Sequence, residues 1–392
     1  MRLLAVLLLL GLGSLPVSGD PVFWEKASGL LAEGKVEEAD ALAQTVLAAT
    51  PEDADALVVA GTAVLYAKMV PRRDDSIFRP VVDPATAPEF HLAPAGADAV
   101  AGWWKRVPTL DPSRTYLWGD LAQLTFRSGD SARALDWAKL ALTAPTADPD
   151  GLAAAGSVFA LNLDWARAAQ ALGRIPGNRT ALLYQGLEAW RTGKDGWRVP
   201  LKAFVDNPGP DPAGTRLAAY LIGPDMRDTE VGFQNATLAE PGIAALAVRQ
   251  KYVERYPDKF QPRLDLARNL TQFGSFAKAL DHYGEIDRRG LATTPEQRVT
   301  VLFQEAWALQ AMDRRPEADK VWGMLTDASD FYIRSAAAWF LGEDALANGK
   351  PDEAKLWWTR TPVSKVPLLA VADEPARSKY AAWCASELKK LP

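Results

Sequence analysis

Few residues in this chain could do chemistry, and their spacing argues against most of it. The only histidines are His91 and His282. In "DHYGEIDRR" (281–289), Asp281, His282 and Glu285 fall within one helical turn, the layout of a weak metal chelate, but no further ligand completes a set. The same spacing suits the solvated face of a helix. Adjacent carboxylates at Glu343–Asp344 and Asp352–Glu353 offer an acid beside a base, yet neighbours on a helix point apart and do not converge on one substrate. No Ser-His-Asp or Cys-His arrangement and no Gly-rich phosphate loop can be assembled. Cys384 is the single cysteine; it forms no internal disulfide and reads as a small buried hydrophobe. Asn178, Asn235 and Asn269 each open an Asn-x-Thr triplet, which carries sugar only in a eukaryotic secretory setting. These residues predict a protein that is not an enzyme, has no metal and no cofactor, and works by binding.

Composition narrows what it binds. Hydrophobic residues make up 48% of 392 and charged residues 24%, as in a folded chain too long for one compact core. The net charge of −5, without any long run of Lys or Arg, excludes nucleic acid as the expected partner. The opening "MRLLAVLLLLGLGSLPVSGD" has one cation at Arg2, an apolar stretch to about Leu12 and a small-residue exit, so residues 1–19 are expected to be a cleaved secretory signal. The apolar part falls short of the roughly 20 residues that span a bilayer. No lipid-attachment cysteine follows it. A periplasmic or secreted location, with no membrane span after cleavage, is the expectation.

The elements that must position any binding residues show themselves as a repeat. Turn residues occur at Gly34, Gly129, Leu163, Gly193, Gly274, Asp313 and Gly349. Five residues after most of them stands an alanine (Ala39, Ala134, Ala168, Ala279, Ala318, Ala354), and four further on a larger knob such as Tyr283, Trp322 or Trp358. A small residue stands seven before the turn at Gly156, Gly186, Ala306 and Gly342. Physically, the turn needs a left-handed backbone, the alanine marks the closest approach of two helices, and the knob fills the gap to the next pair. The pattern resembles the tetratricopeptide repeat, with a unit of about 34 residues. Recognisable units begin near residues 20, 115, 149, 179, 260, 299 and 335, and "TYLWGDLAQLTFRSGDSARALDWAKLAL" (115–142) is the best copy. The expected fold is all-α, a TPR-like α-solenoid of helical hairpins with a Pro-rich irregular insertion and a C-terminal capping helix.

The expected organisation is a signal at 1–19, hairpins at 20–68, the Pro-rich insertion at 69–112, an array at 113–205, an irregular linker with a hinge near 206–214 at 206–240, and a second array with its cap at 241–392. The resemblance implies a concave groove lined by the first helix of each unit. On this sequence that places Phe126, Arg127, Trp190, Arg191, Arg268, Gln272, Trp307, Gln310 and Glu343 in the groove. Among the fourteen tryptophans, Trp118, Trp322 and Trp358 match core positions, whereas Trp190 and Trp307 would offer aromatic anchors. One subgroup of the family holds peptide carboxylates with a Lys, Asn and Arg clamp; here Trp24, Ser28, Leu57 and Ala60 stand in the first pair of helices, so that role is not expected. The resemblance and the signal together imply a scaffold of the bacterial cell envelope that holds a peptide segment of another envelope or secreted protein. The alternative is a module for polysaccharide export or wall assembly that stacks glycan on Trp190 and Trp307.

Overall fold

The computed structural model describes residues 21–71, 90–146, 148–207, 209, 211–223, 229–239, 242–360 and 379–390. The expected signal at 1–19 and residues 72–89 of the insertion lie outside them. The described chain is all-α apart from one two-residue antiparallel pairing, Val70 with His91 and Pro71 with Phe90. No described helix is long and apolar enough to cross a membrane.

The chain divides into two compact units between Lys278 and Ala279. The first holds α1 Pro21–Ala32, α2 Val36–Ala49, α3 Ala54–Lys68, α4 Pro94–Trp104, α5 Val107–Leu110, α6 Tyr116–Arg127, α7 Ser131–Thr143, α8 Pro149–Leu161, α9 Trp165–Gly173, α10 Thr180–Arg191, α11 Arg198–Asp206, α12 Pro212–Ile222, α13 Glu230–Ala239, α14 Ala245–Arg255 and α15 Phe260–Gln272. The division falls inside α16 Phe276–Arg288, not in 206–240. The second unit continues with α17 Pro295–Ala311, α18 Arg315–Leu325, α19 Phe331–Ala347, α20 Pro351–Thr359 and the capping helix α21 Lys379–Leu388. Each unit is a stack of helical hairpins, a TPR-like α-solenoid arrangement.

Every predicted turn residue has a left-handed backbone: φ is 79° at Gly34, 95° at Gly129, 63° at Leu163, 71° at Gly193, 78° at Gly274, 56° at Asp313 and 73° at Gly349. The N–H one residue beyond each turn donates to a carbonyl five residues back, as from Asp130 to Thr125, Asp164 to Phe159 and Lys350 to Ala345. That bond uses up a carbonyl the helix end would otherwise leave unpaired. The alanines five residues past the turns, Ala39, Ala134, Ala168, Ala279, Ala318 and Ala354, are fully buried. Leu163 is the strained member, because a branched L-residue in this region costs about 1–2 kcal/mol. Leu163→Gly should therefore raise stability by about 0.5–1 kcal/mol after the glycine's extra unfolded-state entropy is counted, read as a higher thermal midpoint. A lower midpoint would mean the leucine side chain packs usefully.

Two stretches read as irregular contain helices. In 69–112, α4 begins at Pro94 and buries Gly96, Ala97, Val100, Ala101 and Trp104, the spacing of one helix face. In 206–240, α12 begins at Pro212 and is capped by Asp211, whose carboxylate accepts from Gly214 N at 2.8 Å. Proline at the first helical position loses nothing, since its missing N–H would have had no partner there.

Tryptophans fix helix pairs in both units by one device. Trp104 lies across Gly61 of α3 and donates its indole N–H to Val58 O at 3.1 Å. Trp358 lies across Gly342 of α19 and donates to Trp339 O at 3.3 Å. A methyl group on either glycine would overlap the indole. Trp322, also buried, stacks on Phe340 at 4.8 Å; Trp118 is only half-buried, unlike the core residue expected. The cap α21 seats buried Tyr380 and Cys384 on the second unit, with Trp383 at 5.2 Å from Trp339.

Candidate functional site

The structure places Phe126, Trp190 and Arg191, three of the predicted groove residues of the first unit, against the chain's own later segments. Trp190, near the end of α10, is 3% exposed. The Lys251 ammonium of α14 sits 4.1 Å over its ring and donates to Trp190 O at 2.9 Å, and Phe233 of α13 approaches it at 6.2 Å. Such a desolvated cation–ring contact contributes about 2 kcal/mol. Arg191 donates from Nε and Nη2 to the Glu188 carboxylate at 2.9–3.1 Å and from Nη1 to Glu254 of α14 at 2.7 Å. Phe126 is buried, with Gly274 against its ring. Trp165 donates to Gln250 Oε1 at 3.0 Å, and Ser275 Oγ donates to Leu161 O at 2.7 Å. The C-terminal ends of α6, α8 and α10 are thus brought together by α14 and by the turn after α15. Arg127 is exposed; Arg268 and Gln272 are half-buried on α15, and Arg268 Nε is buried without a hydrogen-bond partner.

In the second unit Trp307 is 8% exposed, Gln310 is half-buried with its Oε1 unpartnered, and Glu343 is half-buried. Trp104, Trp190 and Trp307 are buried and Trp103 is half-buried, so neither Trp190 nor Trp307, the two rings expected to stack a glycan, stands open at the surface. Of the chelate-like trio, Glu285 accepts from Arg288 at 2.6 and 2.9 Å. Among the described residues no group of three or more His, Cys, Asp or Glu is placed to hold a metal.

Asp344 pairs with a carboxyl that sequence spacing did not suggest. Asp319 of α18 hydrogen-bonds it across the helix interface, and burial, this bond and the Asp344 charge push the Asp319 pKa up to about 7; Arg315 opposes the shift, and Glu353 adds to it. Asp344 accepts from Asn348 at 2.9 Å and lies 3.6 Å from Arg315, which also binds Asp313 at 2.8 Å. The unfolded chain releases this proton near pH 3.9 and the folded chain near 7, so stability falls as pH rises between the two and is level above. Asp319→Asn should match the wild type at pH 4 and exceed it by about 1–2 kcal/mol at pH 8, once the partial exposure of the pair is allowed for. Denaturant midpoints at the two pH values check this, and a pH-independent difference would refute it.

A groove of about 800 Å³ opens in the first unit between α9 and α10. The two helices present one face each: Ala166, Ala169, Gln170 and Gly173 from α9, and Ala181, Leu182, Gln185, Glu188 and Ala189 from α10. The connector between them adds Asn178 and Arg179, and the following turn adds Lys194. Small side chains at one-turn spacing leave the trough that larger ones would fill. The recurrence of Ala166, Ala169 and Gly173 was the sequence signal for it. Glu188 is bonded by Arg191, a cation it shares with Glu254, and the two cations of the lining are Arg179 and Lys194. Arg179 stacks on Phe204 at 4.4 Å and donates to Phe204 O at 2.5 Å, and its Nε is buried without a partner.

No protein family profile and no curated protein matches the chain. Among solved structures it aligns with the TPR domain of P58(IPK), at 14% identity over 94% of this chain and 98% of that one, with a TM-score of 0.27. It also aligns with yeast Tom70, at 12% identity over 96% and 89% with a TM-score of 0.31. A third is the human IFIT1 dimer with m7Gppp-AAAA, at 14% over 87% and 70% with a TM-score of 0.29. Superpositions this loose lend nothing on ligands or partners, and the hairpin assignment stands on the chain's own turns and packing.

Proposed function

We propose that this protein is a non-enzymatic scaffold acting outside the cytoplasm, in the bacterial envelope, which holds a segment of a partner protein in the groove between α9 and α10. The groove carries the reading: it is a concave, part-apolar surface in a repeat fold, whereas Trp190 and Arg191 of the expected contact residues are engaged by α14. The secretory character of residues 1–19 supports the location. A photo-crosslinking residue placed at exposed Gln185 in the native host, followed by mass spectrometry and cell fractionation, tests both parts. Recovery of an envelope or secreted protein is expected; fractionation with the cytoplasm, or no protein adduct, would overturn the proposal.

A further inference from the structure

Building on the scaffold reading, we infer that the groove between α9 and α10 selects an extended peptide segment with acidic residues at both ends. The inference stands on charge and length. Arg179 precedes the first residue of α10 and Lys194 follows its last turn, so one cation stands at each end of the groove. Neither has an acidic partner among the described residues. Glu188, the only carboxylate in the lining, is engaged by the guanidinium of Arg191 through contacts of 2.9 and 3.0 Å, a cation it shares with Glu254, so the two cations of the lining outnumber its one partly screened anion. The twelve residues of α10 rise about 1.5 Å each, which sets the backbones that carry the two cations roughly 18 Å apart. An extended chain at about 3.3 Å per residue covers that distance in five or six residues. Between the ends, Gln170 and Gln185 flank the trough with amides able to donate to and accept from a peptide backbone, and Ala166, Ala169, Gly173 and Ala181 leave room beside them for that backbone.

The test uses the mature chain and two fluorescein-labelled peptides of about seven residues, with Ala and Ser between glutamate ends in one and lysine ends in the other, read by fluorescence anisotropy. The glutamate peptide should bind about tenfold more tightly or better, and its binding should weaken as salt rises from low to physiological levels. Lys194 is exposed, so Lys194→Glu leaves the fold intact by circular dichroism and should lower affinity for the glutamate peptide about tenfold. Filling the trough with Ala181→Trp should abolish binding of both peptides. Equal affinity for the two peptides, no binding of the glutamate peptide at millimolar concentration, or indifference to Lys194→Glu would each overturn the assignment. A cellular crosslink that maps to another surface would overturn it too while leaving the scaffold reading standing, whereas failure to recover any partner would strike the scaffold reading itself.

Discussion

Arg114→Met is expected to destabilise the first unit by about 3–5 kcal/mol. Arg114 is wholly buried and Asp55 is 1% exposed, and the two form an ion pair that ties the first turn of α3 to the segment before α6. Asp111 accepts from Arg114 Nε at 2.9 Å, and the guanidinium lies 5.6 Å from the Trp24 ring. Three parts of the N-terminal core therefore meet on one cation. Removing the cation alone leaves Asp55 buried without its counter-charge, which is the costly case; removing both leaves an apolar site to repack beside Asp111, which still accepts from Ser113. The double variant Asp55→Leu with Arg114→Met should recover most of the loss. Denaturant unfolding of the wild type, the single variant and the double variant decides it. A single-variant cost below about 1 kcal/mol would show that water reaches the pair.

The second large effect is expected at Gly342. Alanine there is the better helix former by about 1 kcal/mol, yet its methyl would overlap the indole of Trp358, which is 1% exposed. Displacing that ring costs about 1–3 kcal/mol in overpacking and about 1 more in the lost bond to Trp339 O, so after the helix preference is counted Gly342→Ala should lose about 1–3 kcal/mol in net. Trp358→Ala alone should lose about 3–5 kcal/mol through the cavity it leaves. In that background Gly342→Ala should become neutral or stabilising, because only the helix preference remains. Additive losses in the four-member cycle would mean that the two side chains do not compete for one space.

The hairpin turns were legible because their chemistry is local. Few residue types accept a left-handed backbone, the helix-ending bond spans six residues, and an alanine five positions later is required wherever two helices touch. The capping helix and buried Cys384 followed from the same patterning. Helices α4 and α12 were not legible, since Pro94 and Pro212 look like breakers until their place at the first helical position is known. Trp190 and Arg191 were misleading for a different reason. Their place on the helix does face away from their own hairpin, but what covers them is Lys251 and Glu254, some sixty residues on, and no short-range periodicity carries that pairing. The groove between α9 and α10 was not read from the sequence: the spacing of Ala166, Ala169 and Gly173 looks like ordinary helix packing until Glu188 and Arg191 are seen paired beside it.

The seating of α14 on α10 also bears on how the chain tolerates being cut. The Pro- and Gly-rich run around 207–214 looks like a natural place for a protease or a cloning boundary, yet a fragment ending there would bare Trp190, Phe126 and Trp165 together. Freed of Lys251, Gln250 and the turn at Gly274, those rings would form a sticky apolar surface, and such a fragment is one that clumps instead of standing alone.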